Sequence, residues 1–154
     1  MNVYVTDEQS VAVDVAGLRL LAESVLTDEG FPEDSEVTLM LVSDEAISEY
    51  NHRFMDRQGP TDVLAFPLEQ LEPGQAPKRR PGAPPVMLGD IIIAPAYVSR
   101  QALEQGSEFT DEVSLMVVHG MLHLMGWDHA DDAQAEEMEA RERTLLAKVG
   151  VKRP

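Results

Sequence analysis

The strongest constraint on the fold is one apolar stretch, DEVSLMVVHGMLHLMG, at residues 111–126. After its first acidic residues, apolar side chains fall on nearly every side of a helix drawn through it. A surface helix would also show a polar face, so this helix has to be covered on most sides. We therefore predict a central, buried helix that carries two histidines. Thr110 is its predicted N-cap, and Asp111 and Glu112 would meet the positive end of the helix dipole.

The remaining segments predict a mixture of strands and helices. Alternating or continuous apolar residues predict four strands, the first at an edge of the sheet and the last buried on both faces. These strands lie at residues 2–7, 35–43, 61–67 and 88–95. Helical spacing of apolar residues predicts four further helices, at residues 13–31, 44–54, 96–106 and 131–150. Gly30 and Gly150 are predicted stops, and Ser43 and Asp131 are predicted N-caps. The chain is predicted to be one α+β domain, residues 1–154, with a mixed sheet of about four strands packed against helices.

Composition limits the class of protein. A chain of 154 residues, 44% of them hydrophobic, is long enough for one domain with its own core. It has no cysteine, so a disulfide framework and a thiolate metal site are excluded, and any metal would be bound by His, Asp or Glu. The first residues lack the basic and apolar regions of a signal peptide, and no stretch reaches the ~20 apolar residues of a membrane span. We expect a cytoplasmic protein that does not bind membranes.

The net charge of −16 arises from 28 acidic and 12 basic residues. Such a charge repels phosphate, which argues against binding of DNA, or of nucleic acid in general, by bulk electrostatic attraction. The charge is nevertheless uneven, because Lys78, Arg79 and Arg80 form a basic cluster within a proline-rich loop predicted at about residues 73–85. These three residues are candidate RNA contacts. The alternative is an ordinary solvated cluster.

Three of the four histidines stand in the stretch HGMLHLMGWDH, residues 119–129. His119 and His123 are four residues apart, so on a helix their directions differ by only ~40° and both can bind one metal ion. Gly126 can adopt the left-handed conformation that ends a helix, after which the chain would return His129 toward the pair. Three imidazoles leave an open fourth position on an ion such as zinc, where a water molecule would have its pKa lowered to about 7. A closed structural site would need a fourth ligand, which could come from Asp128, Asp131 or Asp132.

The histidine spacing resembles that of the metzincin metalloproteases, H-E-x-x-H-x-x-G-x-x-H. Gly120 stands here in place of the glutamate that serves those enzymes as general base. Without this carboxylate, peptide hydrolysis lacks a proton acceptor that contributes ~10² to 10⁴ in rate. A metalloprotease is therefore kept only as an alternative.

A second resemblance extends over more of the chain. The stretches HGMLHLMGWDH, GPTDVLAFP (residues 59–67) and LGDIIIAP (residues 88–95) resemble, in the same order, those of the YbeY family of metal-dependent endoribonucleases. The resemblance implies an α+β fold, one zinc ion bound by His119, His123 and His129, and single-stranded RNA as the substrate. It also implies a role in ribosomal RNA maturation and ribosome quality control, with ribosome-associated proteins as partners. An alternative of another class is a metal-stabilised module that binds the ribosome and has little catalytic activity of its own.

One position departs from the family pattern. Many members have an aromatic residue followed by an arginine before the Pro-Thr-Asp block, and that arginine serves substrate binding or catalysis. In this chain Phe54 is followed by Met55. Arg53 and Arg57 lie two residues to either side of Met55, and each is a candidate substitute. The alternative is that both are solvated surface residues.

The sequence identifies no general base. Asp62, Asp90 and Asp128 are candidates for a hydrogen bond to the second ring nitrogen of a metal-binding histidine, which would fix the tautomer of that histidine. For Asp62 the alternative is a local bond to a backbone amide. Trp127 could stack on an RNA base, although an aromatic residue after a helix-ending glycine usually packs in the core.

Overall fold

The chain forms a four-stranded sheet and five helices in a computed structural model that describes all residues from 1 to 154. In chain order the elements are β1 (Asn2–Glu8), α1 (Val15–Asp28), β2 (Glu36–Val42), α2 (Asp44–Met55), β3 (Val63–Pro67), β4 (Met87–Ile93), α3 (Pro95–Gln105), α4 (Phe109–Leu124) and α5 (Asp132–Ala147). Every strand and helix that the apolar pattern predicts is present, with ends shifted by a few residues. The prediction of an α+β fold with a mixed four-stranded sheet is confirmed.

The strands are arranged in the order β1-β2-β4-β3. β1 pairs with β2 and β2 pairs with β4 in parallel, whereas β3 runs antiparallel to β4. Val63 lies opposite Ile93, and Pro67 lies opposite Gly89. β1 is an edge strand, as predicted, and β3 forms the other edge. A proline is tolerated in β3 because an edge strand leaves one side of its backbone without hydrogen-bond partners in the sheet.

Helices cover both faces of the sheet. The larger core, on the side of α1, α4 and α5, contains Ile91 and Ile93 of β4. Ile92 points to the opposite side, into a small core that it shares with Ile47 of α2 and Leu64 of β3. The three consecutive isoleucines are at most 2% exposed, which confirms that β4 is buried on both faces.

Helix α4 packs directly on the sheet. It contacts α1, α3, α5, β3 and β4, and most of its apolar side chains are buried. The closest approach is at Gly120, where an added Cβ atom would lie 2.7 Å from Cγ2 of Ile91. The missing side chain at position 120 therefore lets the helix approach β4. His119 and His123, on the same helix, are only partly buried.

The start of α4 corrects one prediction. The helix begins at Phe109 with Glu108 in the N-cap position, and no side chain bonds to its first amides. Thr110 lies inside the first turn, where its carbonyl accepts a hydrogen bond from Ser114 Oγ at 2.9 Å. Thr110 is therefore not the cap. Packing of Phe109 against the larger core draws the chain into the helix one residue before Thr110 is reached.

Two other predicted N-caps are confirmed. The Ser43 hydroxyl accepts a hydrogen bond from the backbone amide of Ala46 at 3.2 Å at the start of α2. At the start of α5, Asp131 Oδ1 accepts from the amide of Gln134 at 2.8 Å. Each of these bonds satisfies an amide that the helix itself leaves without a partner.

Residues 68–86 connect β3 to β4 without a helix or a further strand, apart from an isolated bridge between Glu72 and Gln75. The predicted proline-rich loop lies within this segment. Arg79 forms an ion pair with Asp34, which precedes β2, so the loop is attached to the body of the domain. None of the five helices combines the length and hydrophobicity that crossing a bilayer would require.

Candidate metal centre

The structure brings His119, His123 and His129 together. One ring nitrogen from each histidine lies within 4.8 Å of the others. The ring centroids are 4.5 Å apart for His119 and His123, 5.5 Å for His119 and His129, and 5.0 Å for His123 and His129. No carboxylate oxygen belongs to this group, so the structure gathers three imidazoles and leaves the rest of a coordination sphere open.

The end of α4 explains how His129 reaches the other two histidines. The Gly126 amide donates to the carbonyl of His123 at 3.1 Å, and the Trp127 amide donates to the carbonyl of Leu122 at 3.0 Å. These two bonds form a Schellman motif, which needs a left-handed residue at the glycine position. Gly126 has φ +97°, as the sequence predicted. The motif reverses the chain, and His129 follows three residues after the glycine.

The hydrogen bonds of the rings leave two nitrogen lone pairs facing each other. Nδ1 of His119 donates to Glu142 Oε2 at 2.9 Å, and Nδ1 of His123 donates to the carbonyl of Trp127 at 3.0 Å. When both rings are neutral, each Nε2 is then an acceptor, and the two Nε2 atoms are only 3.0 Å apart. Two facing lone pairs repel each other unless a proton or a metal ion lies between them. Nitrogen ligands of a tetrahedral zinc lie about 2.0 to 2.1 Å from the ion and therefore a little over 3 Å from one another, so the donor set fits zinc.

The surroundings of His123 keep it neutral. Burial is the largest cause that lowers the pKa of His123 from 6.5 to about 4; the neighbouring His119 and His129 also contribute, against smaller raising effects of the Trp127 hydrogen bond and Asp128. A neutral imidazole is the form that binds metal. The ring is therefore ready to act as a ligand at neutral pH without first losing a proton.

The histidines lie in an open cleft with a volume of about 530 Å³. One wall comes from the end of α2, the segment that follows it and β3; the other comes from α4, α5 and the C-terminal segment. The lining residues are Asn51, Met55, Arg57, Thr61, Asp62, Val63, Leu64, Ala65, Pro67, Leu115, Met116, His119, Gly120, His123, His129, Glu142 and Arg153.

The open edge of β3 faces this cleft. Two bonds to β4, from the Ala94 amide to the Asp62 carbonyl and from the Leu68 amide to the Leu88 carbonyl, fix the alternation of the antiparallel ladder. By that alternation, the carbonyls of residues 63, 65 and 67 and the amide of Ala65 point away from β4, while the Val63 amide donates to Asp62 Oδ1 and Pro67 has no amide. The cleft is therefore lined by backbone hydrogen-bonding groups as well as by the histidines.

Of the basic residues predicted to contact RNA, only Arg57 lines the cleft. Arg57 lines the cleft together with Met55, whereas Arg53 lies in a separate depression beside Tyr50. The cluster Lys78, Arg79 and Arg80 does not line the cleft. Arg79 is moreover engaged by Asp34.

None of the three predicted aspartates is hydrogen-bonded to a ring of the histidine group. Asp62 Oδ1 accepts from the Val63 amide at 2.8 Å, which is the local alternative considered for it. Asp128 Oδ1 accepts from the backbone amide of His129 at 2.8 Å, and no side-chain bond links Asp90 to the histidines.

The carboxylate that contacts His119 is Glu142 of α5, which sequence reasoning missed. Its side chain is 1% exposed, and its other oxygen, Oε1, accepts from Nε of Arg153 at 3.2 Å. A signal was present in the sequence, because Glu142 stands on the same helical stripe as the buried Met138 and Leu145. A carboxylate within an apolar stripe has to find a partner inside the fold.

Gly120 and Trp127 bear on two alternatives from the sequence, a metalloprotease and the stacking of Trp127 on an RNA base. A Cβ atom at Gly120 would clash with the side chain of Ile91, so a glutamate does not fit at position 120 unless Ile91 moves. Trp127 packs against the larger core and does not line the cleft, so the structure places it in the core and away from a base in the cleft. No protease-like general base is therefore available at position 120.

The chain is similar over almost its whole length to proteins of one family. The family model described as Endoribonuclease YbeY matches residues 4–150. An Endoribonuclease YbeY of Salinispora tropica is 37% identical over 149 residues, covering 96% of this chain and 95% of the relative. One of Acidothermus cellulolyticus is 39% identical over 147 residues, covering 95% and 90%. A protein of Thermotoga maritima with a solution structure is 26% identical and has a TM-score of 0.61, covering 96% of this chain and 91% of that one. With a family match over almost its whole length and relatives of this identity, the chain belongs to the YbeY family of endoribonucleases.

Proposed function

We propose that the protein is a zinc-dependent endoribonuclease that cleaves single-stranded RNA in ribosomal RNA maturation and ribosome quality control. It would bind one zinc ion per chain and act in the cytoplasm together with ribosome-associated proteins. Family membership supports the nuclease activity. The observation that carries the metal dependence is the pair of facing Nε2 atoms of His119 and His123, 3.0 Å apart, with His129 beside them.

The donor set supports zinc among the biological metals. Imidazole suits zinc and other late transition metals, and three ligands with an open position are the usual pattern of a catalytic zinc site. When bound there, the ion would supply Lewis acidity toward the phosphodiester and would lower the pKa of a coordinated water.

The residues of the chain have separate tasks in this proposal. Glu142 and the Trp127 carbonyl hold the Nδ1–H groups of His119 and His123, so that both Nε2 atoms are directed to the same point. The open edge of β3 offers backbone groups to a single strand that lies along the cleft. Arg57 is the proposed phosphate contact within the cleft, in place of the arginine that is absent at Met55. The loop cluster Lys78, Arg79 and Arg80 is proposed to contribute RNA contacts outside the cleft.

The metal dependence is tested by metal analysis of the purified protein and by cleavage of a single-stranded RNA with and without chelator. We expect about one zinc per chain, and we expect His123→Ala to abolish both metal binding and cleavage because two ligands do not make a stable tetrahedral site. His52→Ala is the matched control, since His52 is the one histidine outside the cluster and is exposed on α2. Metal retention by His123→Ala at the affinity of the parent protein would refute the ligand assignment.

Measurements of RNA binding and of peptide cleavage, added to this assay, separate the alternatives. RNA binding and a bound metal without any RNA cleavage would indicate a metal-stabilised ribosome-binding module. Cleavage of a peptide substrate would indicate a metalloprotease, against the placement of Gly120 described above.

The role of Arg57 is tested by comparison with Arg53, which lies outside the cleft. We expect Arg57→Ala to lower the cleavage rate by at least about tenfold, because a charge-assisted hydrogen bond to a phosphate contributes roughly 1.5 to 3 kcal/mol. Arg53→Ala should cleave like the parent protein, and metal content should be unchanged in both variants. If Arg57→Ala also cleaves like the parent protein, no arginine near Met55 takes part in the reaction, and Met55→Arg should then be tested for a gain.

A further inference from the structure

The C-terminal segment returns to the cleft after α5 ends. The Gly150 amide donates to the carbonyl of Ala147 at 3.1 Å, and the Val151 amide donates to the carbonyl of Leu146 at 3.0 Å. Gly150 has φ +78°, and Val151 packs against the larger core. This reversal carries Arg153 back along α5 until it lines the cleft.

Arg153 closes a chain of contacts that ends at the histidine cluster. Its Nε donates to Glu142 Oε1 at 3.2 Å, and Glu142 Oε2 accepts from His119 Nδ1 at 2.9 Å. Glu142 is therefore held through both oxygens, by one partner from the C-terminal segment and one from α4. A carboxylate that is 1% exposed has no solvent to replace either partner, so each contact determines its orientation.

Other contacts of Arg153 do not explain its placement. The distance to Glu139 Oε1 is 3.9 Å, and the side chain of Glu139 is 49% exposed. An exposed pair at that separation contributes little. The Arg153 side chain itself is only 24% exposed, and the partner it contacts most closely is the buried Glu142.

We propose that Arg153 is a positioning residue of the metal centre. By holding Oε1 of Glu142 it fixes the carboxylate plane, and the fixed carboxylate keeps the proton of His119 on Nδ1. His119 Nε2 then stays an acceptor directed toward His123 Nε2. The effect on metal binding rests on the metal dependence proposed above, whereas the effect on the tautomer of His119 does not require a metal.

The metal-free arm of the test uses nitrogen-15 NMR of the imidazole rings at a fixed neutral pH. The parent protein is expected to show His119 with its proton on Nδ1. In Arg153→Gln the carboxylate loses one of its two partners, so the population of the other His119 tautomer should rise. Arg143→Gln is the matched control, because Arg143 lies on α5 next to Glu142 and its side chain is exposed. An unchanged His119 tautomer in Arg153→Gln would overturn the proposal.

The metal arm measures zinc affinity by competition with a chelating indicator. Loss of an outer contact to a ligand typically weakens metal binding by about 10- to 100-fold, and we expect Arg153→Gln to fall near the lower end because it acts through Glu142. Glu142→Gln should bind zinc more weakly still. The double variant, with both Arg153→Gln and Glu142→Gln, should bind zinc no more weakly than Glu142→Gln alone. Additive losses would mean that Arg153 acts independently of Glu142 and would overturn the proposal.

Two controls keep the outcomes distinct. Arg153→Lys retains the charge and part of the contact with Glu142, so its zinc affinity should lie between those of Arg153→Gln and the parent protein. Denaturant unfolding of each variant shows whether the fold is intact. A raised KM for RNA with unchanged zinc affinity and unchanged tautomer would make Arg153 a substrate contact and overturn the positioning role. If the parent protein binds no zinc, the proposed function fails, while the NMR comparison still decides the role of Arg153.

Discussion

Helices α4 and α5 end with the same hydrogen-bond pattern, and each end returns a polar side chain to the cleft three residues after a glycine. In α4 the bonds are Gly126 to His123 and Trp127 to Leu122; in α5 they are Gly150 to Ala147 and Val151 to Leu146. His129 follows the first motif and Arg153 follows the second. One local motif thus delivers two different groups to one site.

The two ends differ in what surrounds the glycine. A Cβ atom added to Gly126 would lie 2.0 Å from the carbonyl oxygen of Leu71, in the segment between β3 and β4. A Cβ added to Gly150 would meet nothing within 4 Å. The glycine of the turn after α4 therefore lies against a second segment of the chain, whereas the space beside the glycine of the turn after α5 is open. We therefore expect the turn after α4 to tolerate substitution of its glycine less well than the turn after α5.

The largest expected effect is that of Gly126→Ala. The new methyl group would clash with the Leu71 backbone, and the turn would force alanine to adopt a positive φ. Together the two effects should lower the free energy of unfolding by about 3 kcal/mol. The return of His129 would be disturbed as well, so zinc affinity should fall although no ligand is replaced. Denaturant unfolding and zinc titration check both effects. Unfolding and zinc affinity like those of the parent protein would mean that the contact with Leu71 does not hold the turn.

The next largest expected effect is a pH dependence of the free energy of unfolding, which arises from His123 at the end of α4. Because the pKa of His123 is lowered from 6.5 to about 4, the unfolded chain binds a proton below pH 6.5 that the folded, metal-free protein does not yet bind. Stability of the metal-free protein should therefore fall as the pH falls from 6.5 toward 4. The corresponding change in the free energy of unfolding would be about 3 kcal/mol at most, and partial solvent exposure of His123 reduces this change to about 1 to 2 kcal/mol.

Unfolding curves at several pH values, with chelator present, measure this dependence. His123→Gln removes the titrating ring and should flatten the profile between pH 6.5 and 4. A profile as steep as that of the parent protein would assign the dependence to another group.

The smallest effect is expected for Gly150→Ala, the counterpart of the first variant. Space is available, so only the positive φ is unfavourable, and the free energy of unfolding should fall by about 1 kcal/mol. Zinc affinity should change little, because Arg153 can still reach Glu142 when the turn is strained but intact. If Gly150→Ala is as damaging as Gly126→Ala, the contact with Leu71 is not what distinguishes the two ends.

Predictions from the sequence succeeded where the determinants are local. His119 and His123 share a helix face at a spacing of four, and Gly126 ends that helix, so the grouping with His129 follows from residues close together in the chain. The buried strand β4 was readable from its consecutive isoleucines for the same reason. Thr110 was assigned wrongly as a cap because tertiary packing of Phe109 moved the start of the helix.

The residues that sequence reasoning missed are joined to the site by long-range contacts. Glu142 is 23 residues from His119, and Arg153 is 11 residues from Glu142. Their pairing depends on how α5 lies against α4. The packing of α2 beside β3 likewise decides that Arg57, just after the end of α2, meets the cleft and that Arg53, within α2, does not.

The sequence by itself determined the elements, the histidine spacing and the glycine turns, since hydrogen bonds within a helix and the ability of glycine to adopt positive φ act over a few residues. Only the tertiary structure decided the strand order β1-β2-β4-β3, the partner of His119 and the walls of the cleft. These features depend on which apolar faces are buried against each other, and burial is non-directional, so many pairings satisfy the same pattern of apolar residues. Close packing, as between Gly120 and Ile91 or between Gly126 and Leu71, selects one of them.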